Sequence, residues 1–232
     1  MIVRPLAALL SCLLAAVPAA AQDKVLRYAF PIAETGFDPA QINDLYSNII
    51  VTHIFDAPLR YDFLARPAKV VPNTADGLPE VSPDYTTWTI RLRPGIYFAD
   101  DPAFKGRKRE LTAADHVYSL KRHWDPKNKS QQLYLVANKV PGMEALRAQA
   151  EKTGKLDYDR EVEGLRVLDR YTYQVRFTDP NPRFLYDLTS CPLSCAVARE
   201  VVEAYGEKIM AHPVGSNAFR LTDWRRSSRM VL

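Results

Sequence analysis

Three cysteines are the first side chains of this sequence that could take part in redox or metal chemistry. Cys12 lies within an apolar N-terminal stretch, and the other two, Cys191 and Cys195, lie in the sequence Cys-Pro-Leu-Ser-Cys. This spacing differs from the C-x-x-C of redox sites, and no second cysteine pair is present to complete a zinc site. We expect a local disulfide between Cys191 and Cys195, with two buried free thiols as the alternative.

Four histidines are the next candidates, but their spacing forms no metal or catalytic motif. His116 and His123 are seven residues apart on a predicted helix, which separates them by about 10 Å, too far to share one metal ion. The sequence contains no H-E-x-x-H motif, no G-x-S-x-G motif and no glycine-rich phosphate loop. We expect no metal, no cofactor and no catalytic residue. Because a catalytic triad can be built from residues scattered in sequence, a secreted hydrolase stays open as an alternative.

The net charge of the chain limits the kinds of partner that it is expected to bind. The 232 residues include 31 Lys and Arg against 27 Asp and Glu, which gives a net charge of +4. This excess is too small to predict binding to nucleic acid or to an anionic membrane. The basic run at residues 105–109 contains a glycine and lies between a predicted strand and a predicted helix, which favours a solvated loop.

The N-terminus has the three parts of a secretory signal peptide. Arg4 supplies the positive charge, residues 6–16 form an apolar run, and residues 19–21 are three alanines that suit a cleavage site. The apolar run is too short to cross a bilayer, which needs about 20 residues. We expect residues 1–21 to be removed and the mature chain to be exported to the periplasm.

The periodicity of apolar residues predicts the elements that would position these side chains. Alternation predicts a strand over residues 87–93 that returns through residues 96–98 as a hairpin. The best helix starts at Thr112, with Asp115 as its capping partner. Further strands are predicted at residues 25–30, 59–63, 165–168, 171–177 and 221–224, and further helices at residues 44–55, 143–153 and 196–205. This mixture indicates an α/β or α+β fold.

Four segments, taken in order along the chain, resemble one protein family. Residues 54–62, 78–98, 111–122 and 213–219 read IFDAPLRYD, LPEVSPDYTTWTIRLRPGIYF, LTAADHVYSLKR and PVGSNAF. Together they resemble the family 5 extracellular solute-binding proteins of ABC transporters, the oligopeptide- and dipeptide-binding group. The last segment departs from the family's pattern, because Asn217 and Ala218 stand where the family has Gly and Pro.

The resemblance implies an α/β fold, in which a type II periplasmic-binding-protein-like lobe carries a small inserted α+β domain. It assigns residues 22–56 to the first part of lobe I, residues 57–178 to the inserted domain and residues 179–232 to the second part of lobe I. Family members are longer than this chain. We therefore expect a C-terminally truncated chain whose second lobe is missing.

The resemblance also implies a function, the capture of a solute between two lobes and its delivery to the permease subunits of an ABC importer. Peptides or similar small solutes are the expected ligands, and the protein is expected to act as a monomer without nucleic acid. A non-functional truncated fragment is the remaining alternative. Ligand contacts from the first lobe are expected from two segments, Glu34, Thr35 and Gly36 together with Ser216, Asn217, Ala218 and Phe219.

Overall fold

A computed structural model describes residues 24–232, and the predicted signal peptide, residues 1–21, lies outside the described residues. The described chain divides into a short N-terminal unit, residues 24–31, and a larger unit, residues 32–232. Among the described residues, no helix combines the length and the apolar composition that a membrane span requires.

The N-terminal unit does not contain the strand predicted for residues 25–30. Within it the rings of Tyr28 and Phe30 meet edge to face, with centroids 5.4 Å apart. No described strand pairs with this segment. The prediction is wrong because alternation is a local signal, whereas a strand needs backbone partners from a neighbour.

The larger unit contains short helices and short strands in the mixture that the sequence predicts. Helices α1 to α6 are Leu45–Ile54, Ala113–Lys121, Met143–Thr153, Phe184–Asp187, Cys191–Ser194 and Arg199–Tyr205. Strands β1 to β8 are Leu59–Tyr61, Val70–Pro72, Glu80–Val81, Thr87–Arg91, Leu165–Val167, Thr172–Arg176, Asp223–Arg225 and Arg229–Val231. Five 3-10 turns lie between them, at Pro102–Phe104, Arg122–Trp124, Pro126–Asn128, Gln131–Leu135 and Gly206–Ala211.

A four-stranded antiparallel sheet forms the centre of the unit, with the strand order β3-β4-β6-β5. The register of β4 and β6 places Trp88 opposite Val175 and Ile90 opposite Tyr173, and all four side chains are buried. Because alternate residues of a strand share one face, these pairs form the inner face of the sheet. The predicted hairpin of β5 and β6 is confirmed.

The hairpin predicted between residues 87–93 and residues 96–98 is wrong. Strand β4 already pairs with β3 on one edge and with β6 on the other, so neither edge is open to a returning strand. Residues 96–98 bond instead to the segment before α2, where the N–H of Phe98 donates to the carbonyl of Arg109 at 2.9 Å. The backbone of this stretch is satisfied by a different neighbour from the one that the pattern predicts.

Helix α2 packs against the sheet and carries the stripe of buried apolar residues that the sequence predicts. The carboxylate of Asp115 accepts a hydrogen bond from the backbone N–H of Thr112 at 2.8 Å, which completes the predicted capping box. A 3-10 turn extends the helix to Trp124, which is buried. The core also contains Phe184, which contacts the ring of Trp88 edge to face at 5.6 Å.

Two of the other predicted helices form as expected, and one starts later. Helices α1 and α3 match their predicted ranges. The helix predicted for residues 196–205 is shorter, because residues 195–198 are not helical. In that segment the N–H of Val197 donates to the hydroxyl of Ser119 at 2.8 Å, so a side chain on α2 replaces a helical partner.

Candidate ligand-binding site

The first predicted segment, residues 34–36, is fixed to the N-terminal end of helix α1. Asp44 caps this helix by accepting a hydrogen bond from the N–H of Ser47 at 2.8 Å. The Asp44 carboxylate also accepts from the hydroxyl of Thr35 at 2.5 Å, and the N–H of Thr35 donates to the Ser47 hydroxyl at 2.9 Å. Burial opposes ionisation of Asp44, but the hydrogen bonds from Ser47 and Thr35 outweigh it and lower its pKa. The residues that start the helix therefore also hold the loop.

Gly36 lets this loop pass close to the 3-10 turn Gly206–Ala211. Its φ of 153° lies outside the range that residues with a Cβ prefer. A Cβ built there would lie 2.4 Å from the Cε atom of Met210. The next residue, Phe37, donates its N–H to the Met210 carbonyl at 2.9 Å. The two segments therefore contact through backbone as well as side chains.

Glu34 is buried beside two aromatic rings. Only 3% of the residue is exposed, and its carboxylate accepts a hydrogen bond from the indole N–H of Trp224 in β7. The rings of Trp224 and Phe37 meet edge to face, with centroids 4.9 Å apart. A carboxylate withdrawn from water in this way can bind a cationic group strongly, because little solvent competes for it.

A buried ion pair holds the end of the same loop. The Oδ1 and Oδ2 atoms of Asp38 accept hydrogen bonds from the Nη1 and Nη2 atoms of Arg122, each at 2.7 Å. Both side chains are almost completely buried. Burial alone would raise the pKa of Asp38, but the charge and hydrogen bonds of Arg122 outweigh it and lower that pKa. This pair connects the loop to the turn that follows α2.

The second predicted segment, residues 216–219, lies at the opposite end of α1. The N–H of Asn217 donates to the carbonyl of Ile54 at 3.0 Å, and its side-chain amide donates to the carbonyl of Thr52 at 3.0 Å. The hydroxyl of Ser216 donates to the carboxylate of Asp56 at 2.9 Å. The two contacts of Asn217 satisfy carbonyls that the end of a helix leaves without partners. Ser216 and Asn217 therefore direct their polar groups at the protein.

The close approach of this segment to α1 depends on the glycine before it. A Cβ built on Gly215 would lie 2.0 Å from the carbonyl oxygen of Ile54. Ala218 and Phe219 follow on the outside, and 47% of Phe219 is exposed. The Phe219 ring packs edge to face on His53, with centroids 5.8 Å apart.

The structure attaches both predicted segments to one helix but places them at its two ends. A helix of 10 residues such as α1 is about 15 Å long. An extended peptide of four or five residues has about the same length, at about 3.3 Å per residue. The two segments are therefore separated by about the length of a short extended peptide, with the buried carboxylate of Glu34 near one end of α1 and the exposed ring of Phe219 near the other.

Comparison with known proteins assigns this architecture to a family. A model of the family described as bacterial extracellular solute-binding proteins, family 5 Middle, matches residues 69–232, which is more than half of the chain. The chain belongs to this family. The match contains the sheet, α2 and the second predicted segment.

Curated relatives carry names of the same kind. A di/tripeptide-binding protein of Pseudomonas aeruginosa (strain UCBPP-PA14) is 30% identical over 221 residues, covering 90% of this chain and 37% of that protein. A dipeptide-binding protein of Escherichia coli (strain K12) is 28% identical over 229 residues, covering 95% of this chain and 39% of that protein. The chain thus spans somewhat more than a third of the length of these relatives.

Solved structures of the family share the fold. OppA of Burkholderia pseudomallei superimposes with a TM-score of 0.68 at 27% identity, covering 87% of this chain and 36% of that chain. Haemophilus influenzae OppA in complex with the peptide RPPGFSPFR superimposes with a TM-score of 0.67 at 23% identity, covering 85% of this chain and 36% of that chain. These likenesses confirm the predicted family and the predicted fold class.

Two residues that contact the loop at residues 34–38, Trp224 and Arg122, are not among the predicted site residues. Trp224 was predicted only as part of a strand, although an indole N–H in a partly buried position needs an acceptor. The sequence predicts Arg122 only as part of the helix that starts at Thr112, although a buried arginine needs a carboxylate. Each signal says that a partner exists, but neither says which residue it is.

The two remaining cysteines close a buried turn that contacts one histidine on α2 and a second histidine in the 3-10 turn after it. The Sγ atoms of Cys191 and Cys195 are bonded, and both residues are buried. His116 Nδ1 lies 3.2 Å from the carbonyl oxygen of Ser194, and His123 Nε2 lies 3.0 Å from that of Leu193. Burial lowers the pKa of each histidine to about 4, although the carbonyl contact opposes this shift. Both rings are therefore neutral at neutral pH.

A separate concave region of about 830 Å³ lies between α2, β5 and α6. Arg109 in its wall pairs with Asp115 at 2.6 Å and with Glu200 at 2.8 Å. Arg199 pairs with Glu203 at 2.7 Å. These arginines are neutralised by their own neighbours, and we assign no ligand to this region.

Proposed function

We propose that this chain forms the first-lobe part of a periplasmic substrate-binding component of an ABC importer, which captures peptides or similar small solutes. The observation that carries the proposal is the loop at residues 34–36, which is held at both ends and carries a buried carboxylate. Relatives named as di/tripeptide-binding and dipeptide-binding proteins support this class of ligand. A rigid loop loses little entropy when a ligand binds, which favours affinity.

The residues of the two segments have different roles in this proposal. Glu34 accepts the α-ammonium group of a peptide, while Thr35 and Gly36 offer backbone groups to its main chain. Ala218 and Phe219 form an apolar wall for a side chain. Ser216 and Asn217 hold that wall in place through their hydrogen bonds to the end of α1.

The proposed division of the chain places residues 22–56 and 179–232 in the first lobe and residues 57–178 in a small inserted domain. Its support is that all four strands of the central sheet, together with α2 and α3, lie between residues 57 and 178. The ligand segments 34–36 and 216–219 both lie outside that range. The proposal therefore separates a scaffold from a ligand-contacting part.

The partners in this proposal are the permease subunits of the importer, and the chain acts as a monomer in the periplasm. A relative named as a periplasmic oligopeptide-binding protein, from Salmonella typhimurium, supports this location. We assign no catalytic role to any residue. Solute capture needs complementary contacts and no bond-making step.

Native mass spectrometry of the full protein, purified after export, tests the ligand class, and we expect co-purifying short peptides. Isothermal titration calorimetry with trialanine and N-acetyltrialanine then tests Glu34. Since a hydrogen bond between charged groups contributes about 1.5–3 kcal/mol, we expect Glu34→Gln and N-acetylation each to weaken binding about 10- to 100-fold. The glutamine keeps an acceptor for the Trp224 indole, so the fold is preserved.

Glu161→Gln is the matched control, because Glu161 is an exposed acid outside both segments. It should bind trialanine as the unmodified protein does. Absence of any co-purifying peptide, with no heat of binding for trialanine, would refute the ligand class. Equal affinities of Glu34→Gln and the unmodified protein would refute the role of Glu34 alone.

A further inference from the structure

The hairpin of β1 and β2 ends in a loop that presents two large apolar side chains to solvent. We call residues 62–69 the hairpin tip. Phe63 is 85% exposed and Leu64 is 82% exposed, which places them among the most exposed large hydrophobic residues of the described chain. They are adjacent, so they form one small apolar projection and not two isolated side chains.

Local hydrogen bonds fix the backbone of the hairpin tip. The Asp62 carboxylate accepts from the N–H of Leu64 at 3.0 Å, and the N–H of Asp62 donates to the carbonyl of Lys69 at 2.8 Å. The guanidinium of Arg66 donates to the carbonyl of Ala65 at 2.8 Å. The projection is therefore preorganised, so a binding surface need not order it.

Positive charge surrounds the projection. Arg60, Arg66 and Lys69 are all exposed, and none of them forms an ion pair within residues 24–232. Asp62 is the acidic residue of the tip, and its carboxylate bonds to backbone. Cations therefore outnumber acids around the hairpin tip, although the net charge of the whole chain is small.

We propose that the hairpin tip docks on the surface of an anionic phospholipid bilayer. Phe63 and Leu64 would enter the boundary between head groups and acyl chains, and the three long cations would extend to the phosphates. A second copy of the tip is a poor partner, because it would bring like charges together. Long exposed cations without a carboxylate partner suit a fluid layer of phosphates better than a shaped protein pocket.

This inference goes beyond the proposed function, because solute capture does not need a membrane contact. The binding is expected to be weak and reversible, as two apolar anchors and three cations give only a modest total attraction. Such a contact would keep the protein near the membrane without anchoring it there.

Sedimentation with vesicles tests the proposal on the full protein. We expect binding to vesicles of phosphatidylglycerol and phosphatidylethanolamine that exceeds binding to phosphatidylcholine vesicles. Phe63→Ser with Leu64→Ser should lower the partition coefficient at least about tenfold, from the apolar area lost. Tyr134→Ser, which removes an aromatic residue that is 71% exposed elsewhere, should leave it unchanged.

A second pair of variants tests the charges. Arg60→Gln with Lys69→Gln should weaken binding to anionic vesicles about tenfold and leave binding to neutral vesicles unchanged. Lys152→Gln with Lys155→Gln removes the same charge elsewhere and should have little effect. Raising the ionic strength from about 0.01 M to about 0.15 M should also weaken binding, since it screens these charges.

Equal binding to anionic and neutral vesicles would overturn the proposal, as would equal binding by the serine variant and the unmodified protein. Self-association that the serine variant abolishes, with no vesicle binding, would assign the tip to a second copy and also overturn it. Trialanine binding, measured in parallel, should be the same for all variants. A loss of trialanine binding would indicate a change in the proposed solute site and not in the hairpin tip.

Discussion

Acid should destabilise this protein through two buried histidines, one on helix α2 and one in the 3-10 turn that follows it. His116 and His123 are buried, and burial lowers the pKa of each to about 4, from an ordinary value of 6.5. An unfolded chain binds a proton at each ring as the pH falls through about 6.5, whereas the folded chain does not until about pH 4. The unfolded state therefore gains protons first, and the free energy of unfolding decreases as the pH falls between these values.

The magnitude follows from the difference between the two pKa values. From about pH 7 to about pH 5, each histidine should lower the free energy of unfolding by about 2 kcal/mol, and the pair by about 4 kcal/mol. Carboxylates with a lowered pKa, such as Asp38, act in a different range. Their contribution to the free energy of unfolding is complete above about pH 4 and is lost only below that pH. The carboxylates with a lowered pKa therefore add little pH dependence above about pH 5, where the histidines take up protons.

Urea unfolding at the two pH values, followed by tryptophan fluorescence, measures this change. His116→Gln should remove about half of the pH dependence, because glutamine does not titrate. His53→Gln is the control, since His53 is exposed on α1, and it should keep the full dependence. The reasoning is refuted if the unmodified chain changes by less than about 1 kcal/mol, or if NMR titration of His116 gives a midpoint above about 6.

Two further predictions concern the loop before α1. Asp38→Asn should lower the free energy of unfolding by about 3–5 kcal/mol, because it leaves the buried charge of Arg122 without a partner. Replacing both residues, as Asp38→Leu with Arg122→Met, should recover most of that loss in urea unfolding, and a double variant as unstable as the single one would contradict this account. Gly36→Ala should cost about 1–3 kcal/mol through its strained φ, whereas Gly77→Ala, whose Cβ would contact nothing within 4 Å, should cost much less. Similar thermal midpoints for the two glycine variants would contradict the requirement for glycine at position 36.

Local signals in the sequence predicted local structure well. The capping box of Thr112 and Asp115 and the apolar stripe after it placed α2 correctly, because capping and helical periodicity join residues three or four apart. The left-handed Gly154 likewise marks the end of α3.

Pairings between distant residues could not be predicted in the same way. Strand β4 has an alternating pattern that fits any neighbour with one apolar face, so the pattern did not identify β6 as its partner. In the candidate site, too, partners that are distant in sequence could not be predicted. The resemblance pointed to Glu34, but its partner Trp224 lies 190 positions away, and Asp38 lies 84 positions from Arg122.

The hydrogen bonds of Ser216 and Asn217 also could not be predicted from residue type. Both side chains suit a turn and both suit a ligand. The deciding fact is the position of the C-terminal end of α1, where carbonyl groups of the helix accept from Asn217 and the Asp56 carboxylate accepts from Ser216.

The central sheet has short outer strands, and this feature affects how readily the sheet can aggregate with other copies of the chain. Strand β3 has two residues and β5 has three, while the longer strands β4 and β6 lie inside. An added strand from another molecule needs a row of free backbone groups to bond to, and short edges offer few of them. The strand order therefore keeps β4 and β6, the longest strands of this sheet, from pairing with a strand of another copy.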